Sequence, residues 1–171
     1  SLMREELYQQ MRKIEDQHWW FCGRRQIVSA VLDRLTIPSN ARVLDLGCGT
    51  GGNLPMLSTY GEVTGVELDS EARELASQRN CAPIVEGHLP DHIPFADGHF
   101  HLITMLDVLE HVEKDEPALS TVHSKLAPGG QLLLTVPAFK FLWGPHDEEH
   151  HHFRRYRAPE LQSKLVAAGF E

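Results

Sequence analysis

The chain has 171 residues, 42% hydrophobic and 23% charged, with a formal net charge of −8. That length carries one α/β domain with a single core, and the negative balance excludes broad attraction to a nucleic-acid backbone, leaving only a local basic group at Arg154, Arg155 and Arg157. The three cysteines, Cys22, Cys48 and Cys81, are odd in number and lack metal-type spacing, so the cytoplasm is the expected compartment and a disulfide framework is not. No apolar run approaches the roughly 20 residues that span a bilayer, and the charged stretch Met3 to Lys13 is no signal peptide.

Leu7, Met11 and Ile14 recur at helical spacing among charged residues, which predicts an amphipathic helix leading into His18, Trp19, Trp20 and Phe21. A second helix is expected to bury Ile27, Val28, Val31, Leu32 and Leu35 and to end before Pro38, which disfavours helical geometry at Ile37. Residues 1–38 thus form N-terminal helices and a cap, and residues 39–171 a core. Five short strand-like runs follow, Arg42 to Leu46, Glu62 to Glu67, Pro83 to Glu86, Leu102 to Leu106 and Gln131 to Val136. Helical stretches separate them, notably Ser70 to Gln78 and Pro117 to Leu126, and a last helix runs from Ala158 to Ala168. Strands alternating with helices indicate a doubly wound parallel sheet.

The strongest local signal is Val43 to Gly52, a buried strand emptying into a glycine-rich turn. Glycines let a ligand approach the backbone and permit positive φ, and a helix N-terminus after them would offer free amides to a carboxylate. A second strand ends in Glu67, 20 residues after Gly47, the spacing used to hold ribose hydroxyls. Gly47, Gly49 and Gly52 also satisfy the dinucleotide fingerprint, so this loop alone leaves an NAD(P)-binding oxidoreductase open.

With its later motifs the sequence resembles the class I S-adenosylmethionine (SAM)-dependent methyltransferases, in the broad group that pairs D-x-G-C-G-x-G with L-E-H-V and P-G-G. The match rests on Asp45 to Gly51, Ile93 to Phe100, Leu106 to Val112 and Leu126 to Gly130. The resemblance implies a Rossmann-like sheet of five strands in the order 3-2-1-4-5, without the family's usual C-terminal antiparallel pair. It implies SAM as cofactor, S-adenosylhomocysteine as product, and cofactor contacts at Asp45, Gly47, Cys48, Gly49, Gly51, Glu67, Leu68, Gly87, His88, Leu106 and Asp107. Relatives carry Gly-Asp where this chain has Gly87 and His88, so an imidazole or a backbone carbonyl must serve the adenine here. Strand five would form an exposed edge, through which a homodimer is an expectation.

The candidates for chemistry on the methyl acceptor lie in Trp143 to Tyr156, which resembles the group's W-x-x-H-D…H-x-R-R-Y stretch. By that resemblance His146 and Asp147 are catalytic candidates, with His111 as another. Trp143, Arg154, Arg155 and Tyr156 would contact the acceptor, the arginines gripping an acidic group. Trp19 and Trp20 are a lid over the cofactor or ordinary core. The acceptor is expected to be a small molecule or lipid-like compound, with no nucleic-acid partner. No metal is assigned, although the types in His146 to His152 suit one. A SAM-binding domain without turnover and, last, a metal-binding regulator centred on His146 to His152 are the remaining alternatives.

Overall fold

A computed structural model describes residues 2–17, 19–136 and 152–171. The contacts group into two compact units, Ser1–Gly87 and His88–Glu171. The strands form one five-stranded sheet in the order β3-β2-β1-β4-β5, as the resemblance implies.

In the first unit, β1 (Arg42–Leu46) buries Val43, Leu44, Asp45 and Leu46 in succession. Burial on both faces is what a near-continuous apolar run means in a parallel sheet covered by helices. β2 (Glu62–Glu67) runs parallel to it with Leu46 opposite Val66, and β3 (Ile84–Glu86) pairs with β2 through Gly65 and Ile84. Gly65 keeps that contact close, because a Cβ there would stand 2.8 Å from Ile84 Cδ1 and 2.9 Å from Cys48 Sγ.

The helices of this unit are α1 (Leu2–Gln17), α2 (Trp19–Leu32), the four-residue α3 (Leu54–Leu57) and α4 (Ser70–Ser77). Asp69 caps α4 by accepting from Glu71 N and Ala72 N, both at 3.0 Å. α2 departs from expectation: Val28 and Leu32 are buried, but Ile27 is 68% and Val31 39% exposed. Polar groups choose its inward face, since Ser29 Oγ lies 2.6 Å from Tyr60 Oη, which donates to Asp33 Oδ1 at 2.8 Å. That pairing sets Val28, Ser29 and Leu32 on the inward side, with the exposed Asp33 just past the helix end, and turns Ile27 and Val31 outward. α1 leaves Leu7 and Ile14 exposed and is tied by polar contacts, Asp16 to Arg79 Nη1 at 2.8 Å and Arg12 Nη1 to Gln78 Oε1 at 3.0 Å.

In the second unit β4 (Phe100–Leu106) pairs in parallel with β5 (Leu126–Thr135), and α5 (Asp115–Lys125) buries Ala118, Leu119 and Val122. α6 (Ala158–Ala167) follows the return segment at 152–157. β5 begins earlier than its apolar run suggests. Phe100 lies opposite Leu126 but Leu102 opposite Gln131, so β5 advances five residues while β4 advances two. The Pro128-Gly129-Gly130 turn is accommodated inside the strand as an irregularity, with Gly129 at φ +74°. Among the described residues no helix is long and apolar enough to cross a membrane.

Candidate functional site

The first unit builds a glycine loop at the C-terminal end of β1. Asp45 is buried at 2% exposure, and the chain after it folds over β2, with Gly47 N and Cys48 N both donating to Val66 O at 2.8 and 3.0 Å. Glu67 closes the arrangement. Its Oε2 accepts from Gly49 N at 2.9 Å and its Oε1 from Asp69 N at 3.0 Å. Each carboxylate oxygen has two lone-pair positions, so one backbone donor apiece leaves acceptor capacity for hydroxyl groups. Arg73 fixes the turn beneath, donating from Nη1 to Glu67 O at 3.1 Å and Leu68 O at 2.6 Å, and Leu68 stands 59% exposed. Arg79 Nε donates to Thr50 O at 2.8 Å, bracing the loop from α4's C-terminal side.

Two glycines show why the loop needs them. Gly49 has φ +56°, and a Cβ there would meet nothing within 4 Å, so its backbone faces open space that a ligand can occupy. Gly51 has φ +83°, and a Cβ would stand 2.9 Å from Leu54 Cδ1 and 3.1 Å from Ala76 Cα. Gly51→Ala is therefore expected to lower the melting temperature more than Gly49→Ala, which bears only the left-handed backbone cost of about 1 to 2 kcal/mol. Thermal unfolding of the two variants checks this; equal losses would remove the packing role of Gly51.

The expected helix N-terminus after the loop is not a helix of useful length. α3 has four residues, and Ser58 Oγ and Thr59 Oγ1 donate back to Pro55 O and Met56 O at 2.7 Å as it ends. A single turn sums too few peptide dipoles to attract an anion, so amide donors here come from the loop itself. Gly87 is buried just after β3.

In the second unit, His88 is exposed and exchanges two backbone hydrogen bonds with His92, at 2.8 and 2.9 Å. Leu106 is half-buried at the end of β4, and Asp107 follows with φ +57°. Thr135 holds that unusual backbone: Asp107 N donates to Thr135 O at 3.1 Å and Oγ1 at 3.0 Å, and Thr135 Oγ1 donates to Asp107 Oδ1 at 3.1 Å. Aspartate tolerates the left-handed region better than most residues, and such conformations cluster where side chains are aimed for function. Next comes a 3-10 turn, Leu109–His111, with Glu110 buried and the His111 side chain 42% exposed.

The return segment places two of the expected acceptor-contacting residues in its own anchorage. Tyr156 is 1% exposed and donates to Asp115 Oδ2 at 2.9 Å, so it cannot meet an acceptor without breaking a buried bond. Arg154 donates from Nη1 to Val112 O at 2.7 Å and from Nη2 to Glu113 O at 2.6 Å, which ties both terminal nitrogens to the backbone. Arg154 fastens the segment to the turn before α5, and Tyr156 fastens it to the first residue of α5. Arg155 is half-buried, and Trp19 and Trp20 stand at the start of α2. Trp143, His146 and Asp147 lie outside the described residues.

Several supporting residues escaped sequence reasoning. Asp69 had a legible signal, an aspartate before an acidic first turn, as N-caps have. Arg73, Arg79 and Thr135 had none, because their partners are backbone groups or residues distant in sequence.

The profile of a methyltransferase domain family matches residues 17–171. The chain is 29% identical to the ubiquinone/menaquinone biosynthesis C-methyltransferase UbiE of Desulfotalea psychrophila, over 94% of this chain and 65% of that protein. It is 28% identical to the malonyl-[acyl-carrier protein] O-methyltransferase of Enterobacter lignolyticus, over 83% of this chain and 59% of the relative. Among solved structures, a SAM-dependent methyltransferase from Thermotoga maritima, described as a possible histamine N-methyltransferase, superposes with a TM-score of 0.67 at 26% identity, covering 84% of this chain and 69% of that one. The chain spans between about a third and two thirds of the length of the curated relatives it matches. With its parallel sheet in the order 3-2-1-4-5 and its glycine loop tied to a strand-end acid, the chain belongs to the class I SAM-dependent methyltransferase family.

Proposed function

We propose that this chain binds SAM and transfers its methyl group to a small-molecule or lipid-like acceptor. The observation that carries the reading is Glu67, bonded to Gly49 N at 2.9 Å while keeping acceptor capacity, beside a glycine whose Cβ direction is open. Those features fit the ribose and the amino acid end of SAM. Glu67 would take ribose hydroxyls, Asp45, Gly47, Cys48, Gly49 and Gly51 would form the loop around the amino acid portion, and Leu68 would offer an apolar surface to the adenine. Gly87, His88, Leu106 and Asp107 complete the proposed cofactor set.

Bound SAM supplies a methyl carbon activated by its sulfonium charge. The protein's work is then to orient a nucleophile, exclude water and, for a hydroxyl acceptor, take up a proton. His146 and Asp147 are proposed for that proton, with His111 as an alternative, and Arg155 is proposed to meet an acidic group of the acceptor. Trp19, Trp20 and Trp143 are proposed to shield the acceptor. The ubiquinone/menaquinone biosynthesis and malonyl-[acyl-carrier protein] relatives support a small, partly apolar acceptor. The odd number of cysteines, Cys22, Cys48 and Cys81, without metal-type spacing supports a reducing compartment such as the cytoplasm. Family membership weighs against the NAD(P)-dependent alternative.

Calorimetric titration with SAM, S-adenosylhomocysteine and NADH, on the parent chain and Asp45→Ala, tests the reading. Micromolar S-adenosylhomocysteine binding that Asp45→Ala abolishes, with no NADH heat, is expected. Binding of NADH alone would overturn the cofactor assignment, and turnover with candidate acceptors then separates an enzyme from a domain that only binds.

A further inference from the structure

The 3-10 turn after β4 and the return segment bring three metal-ligating side chains together. Phe153 N donates to Glu110 O at 2.7 Å, and the two Arg154 bonds to Val112 O and Glu113 O lie immediately beyond it. These anchors hold His152 against His111, with ring centroids 4.8 Å apart and planes at 73°. His111 Nε2 stands 3.9 Å from Glu110 Oε1. One ligand atom from each of Glu110, His111 and His152 lies within 4.8 Å of the others. Ligands at about 2.0 to 2.2 Å from a tetrahedral ion stand roughly 3.5 Å apart, so small side-chain rotations bring this trio onto one centre. The Glu110 carboxylate is 1% exposed, and a charge taken so far out of water gains from a cation beside it.

We propose that Glu110, His111 and His152 form a site for a divalent transition-metal ion. Two imidazoles and one carboxylate suit zinc and its neighbours, whereas magnesium and calcium prefer shells of oxygen. Three protein ligands leave at least one position open for water or an oxygen atom of a ligand, as in metal centres that act on bound molecules rather than merely staple a fold. The backbone bonds around the trio preorganise it, and such support normally decides whether a ligand set binds tightly. The site shares no residue with the glycine loop, its occupancy needs neither SAM nor a methyl acceptor, and an ion held by His111 leaves the acceptor's proton to His146 and Asp147.

The test is calorimetric titration of zinc chloride and, separately, magnesium chloride into the whole chain, without SAM, in parent, His111→Asn and His152→Asn forms. One equivalent of zinc is expected to bind, at least about tenfold more weakly in each variant, with magnesium far weaker than zinc in the parent. Both histidines are at least partly exposed, so their variants keep the fold, and metal-free melting temperatures within a few degrees of the parent check that they do. Zinc affinity unchanged in either variant, or no zinc binding by the parent, overturns the site. Glu110→Gln is a supporting variant only, because its buried carboxylate couples to folding.

Discussion

Replacing Glu67 by glutamine is expected to weaken S-adenosylhomocysteine binding by roughly 10- to 100-fold, the cost of about 1.5 to 3 kcal/mol for losing a charge-assisted hydrogen bond. The carboxylate accepts from two backbone amides, Gly49 N through Oε2 and Asp69 N through Oε1. Glutamine has one oxygen, so whichever amide meets its NH2 faces a donor, and the acceptor capacity offered to a ribose is halved. Two causes could produce the same fall: a loosened loop, or a lost contact to the sugar. An S-adenosylhomocysteine analogue lacking the ribose 2′-hydroxyl separates them. If Glu67 holds that hydroxyl, the analogue binds the parent more weakly than the full ligand does but binds Glu67→Gln almost as well, and the cycle shows coupling. Additive losses would leave Glu67 as a brace for Gly49, and full-strength binding by Glu67→Gln would sink the ribose assignment.

How far the sequence revealed this arrangement depends on whether an element's partners are local. β1 and β2 were legible to the residue because their apolar runs sit between turn residues and are covered on both sides. β5 was placed too late, since Pro128, Gly129 and Gly130 read as a boundary while the strand already pairs at Leu126 and absorbs them as a register shift. The inward face of α2 was drawn too wide because apolar spacing cannot register Ser29 and Asp33 meeting Tyr60, 31 and 27 residues away. Asp45, Gly49 and Glu67 were readable as a loop motif, yet the bond from Gly49 N to Glu67 is a tertiary fact. The return segment misled most. Its histidines, arginines and tyrosine have the chemistry of a binding loop, but three-dimensional pairing gives Arg154 and Tyr156 to the segment's own anchorage and sets the His152 ring against His111.

That anchorage centres on Asp115, and Asp115→Ala is expected to destabilise the protein by about 2 to 4 kcal/mol, somewhat less than the roughly 3 to 5 kcal/mol for breaking a fully buried pair. Asp115 Oδ2 accepts from Tyr156 Oη at 2.9 Å and Lys164 Nζ at 2.6 Å, with Arg154 Nη1 3.6 Å away. One carboxylate thereby joins the first turn of α5, the return segment and α6, and its loss leaves two cations facing each other. Lys164 retains partial exposure, at 20%, which moderates the penalty. Tyr156→Phe removes only the hydroxyl and is expected to cost about 1.5 kcal/mol. The pH dependence follows from the same contacts. Burial pushes the Asp115 carboxyl up, but hydrogen bonds from Lys164 and Tyr156 and the charges of Arg154 and Lys164 outweigh it and hold it below the ordinary aspartate value. Its stabilisation is therefore present above the unfolded value of about 3.9 and is lost as pH falls through the lower folded one. Burial raises the Tyr156 phenol, as does its bond to Asp115, against an opposing bond from Arg154. That contribution is full below the unfolded value of about 10 and is lost as pH rises beyond it. Urea unfolding of parent and variants across pH should show Asp115→Ala losing part of the parent's acid sensitivity and Tyr156→Phe part of its alkaline sensitivity. A penalty for Asp115→Ala under about 0.5 kcal/mol, in the range of an ordinary surface change, would mean the three segments are held together by other contacts.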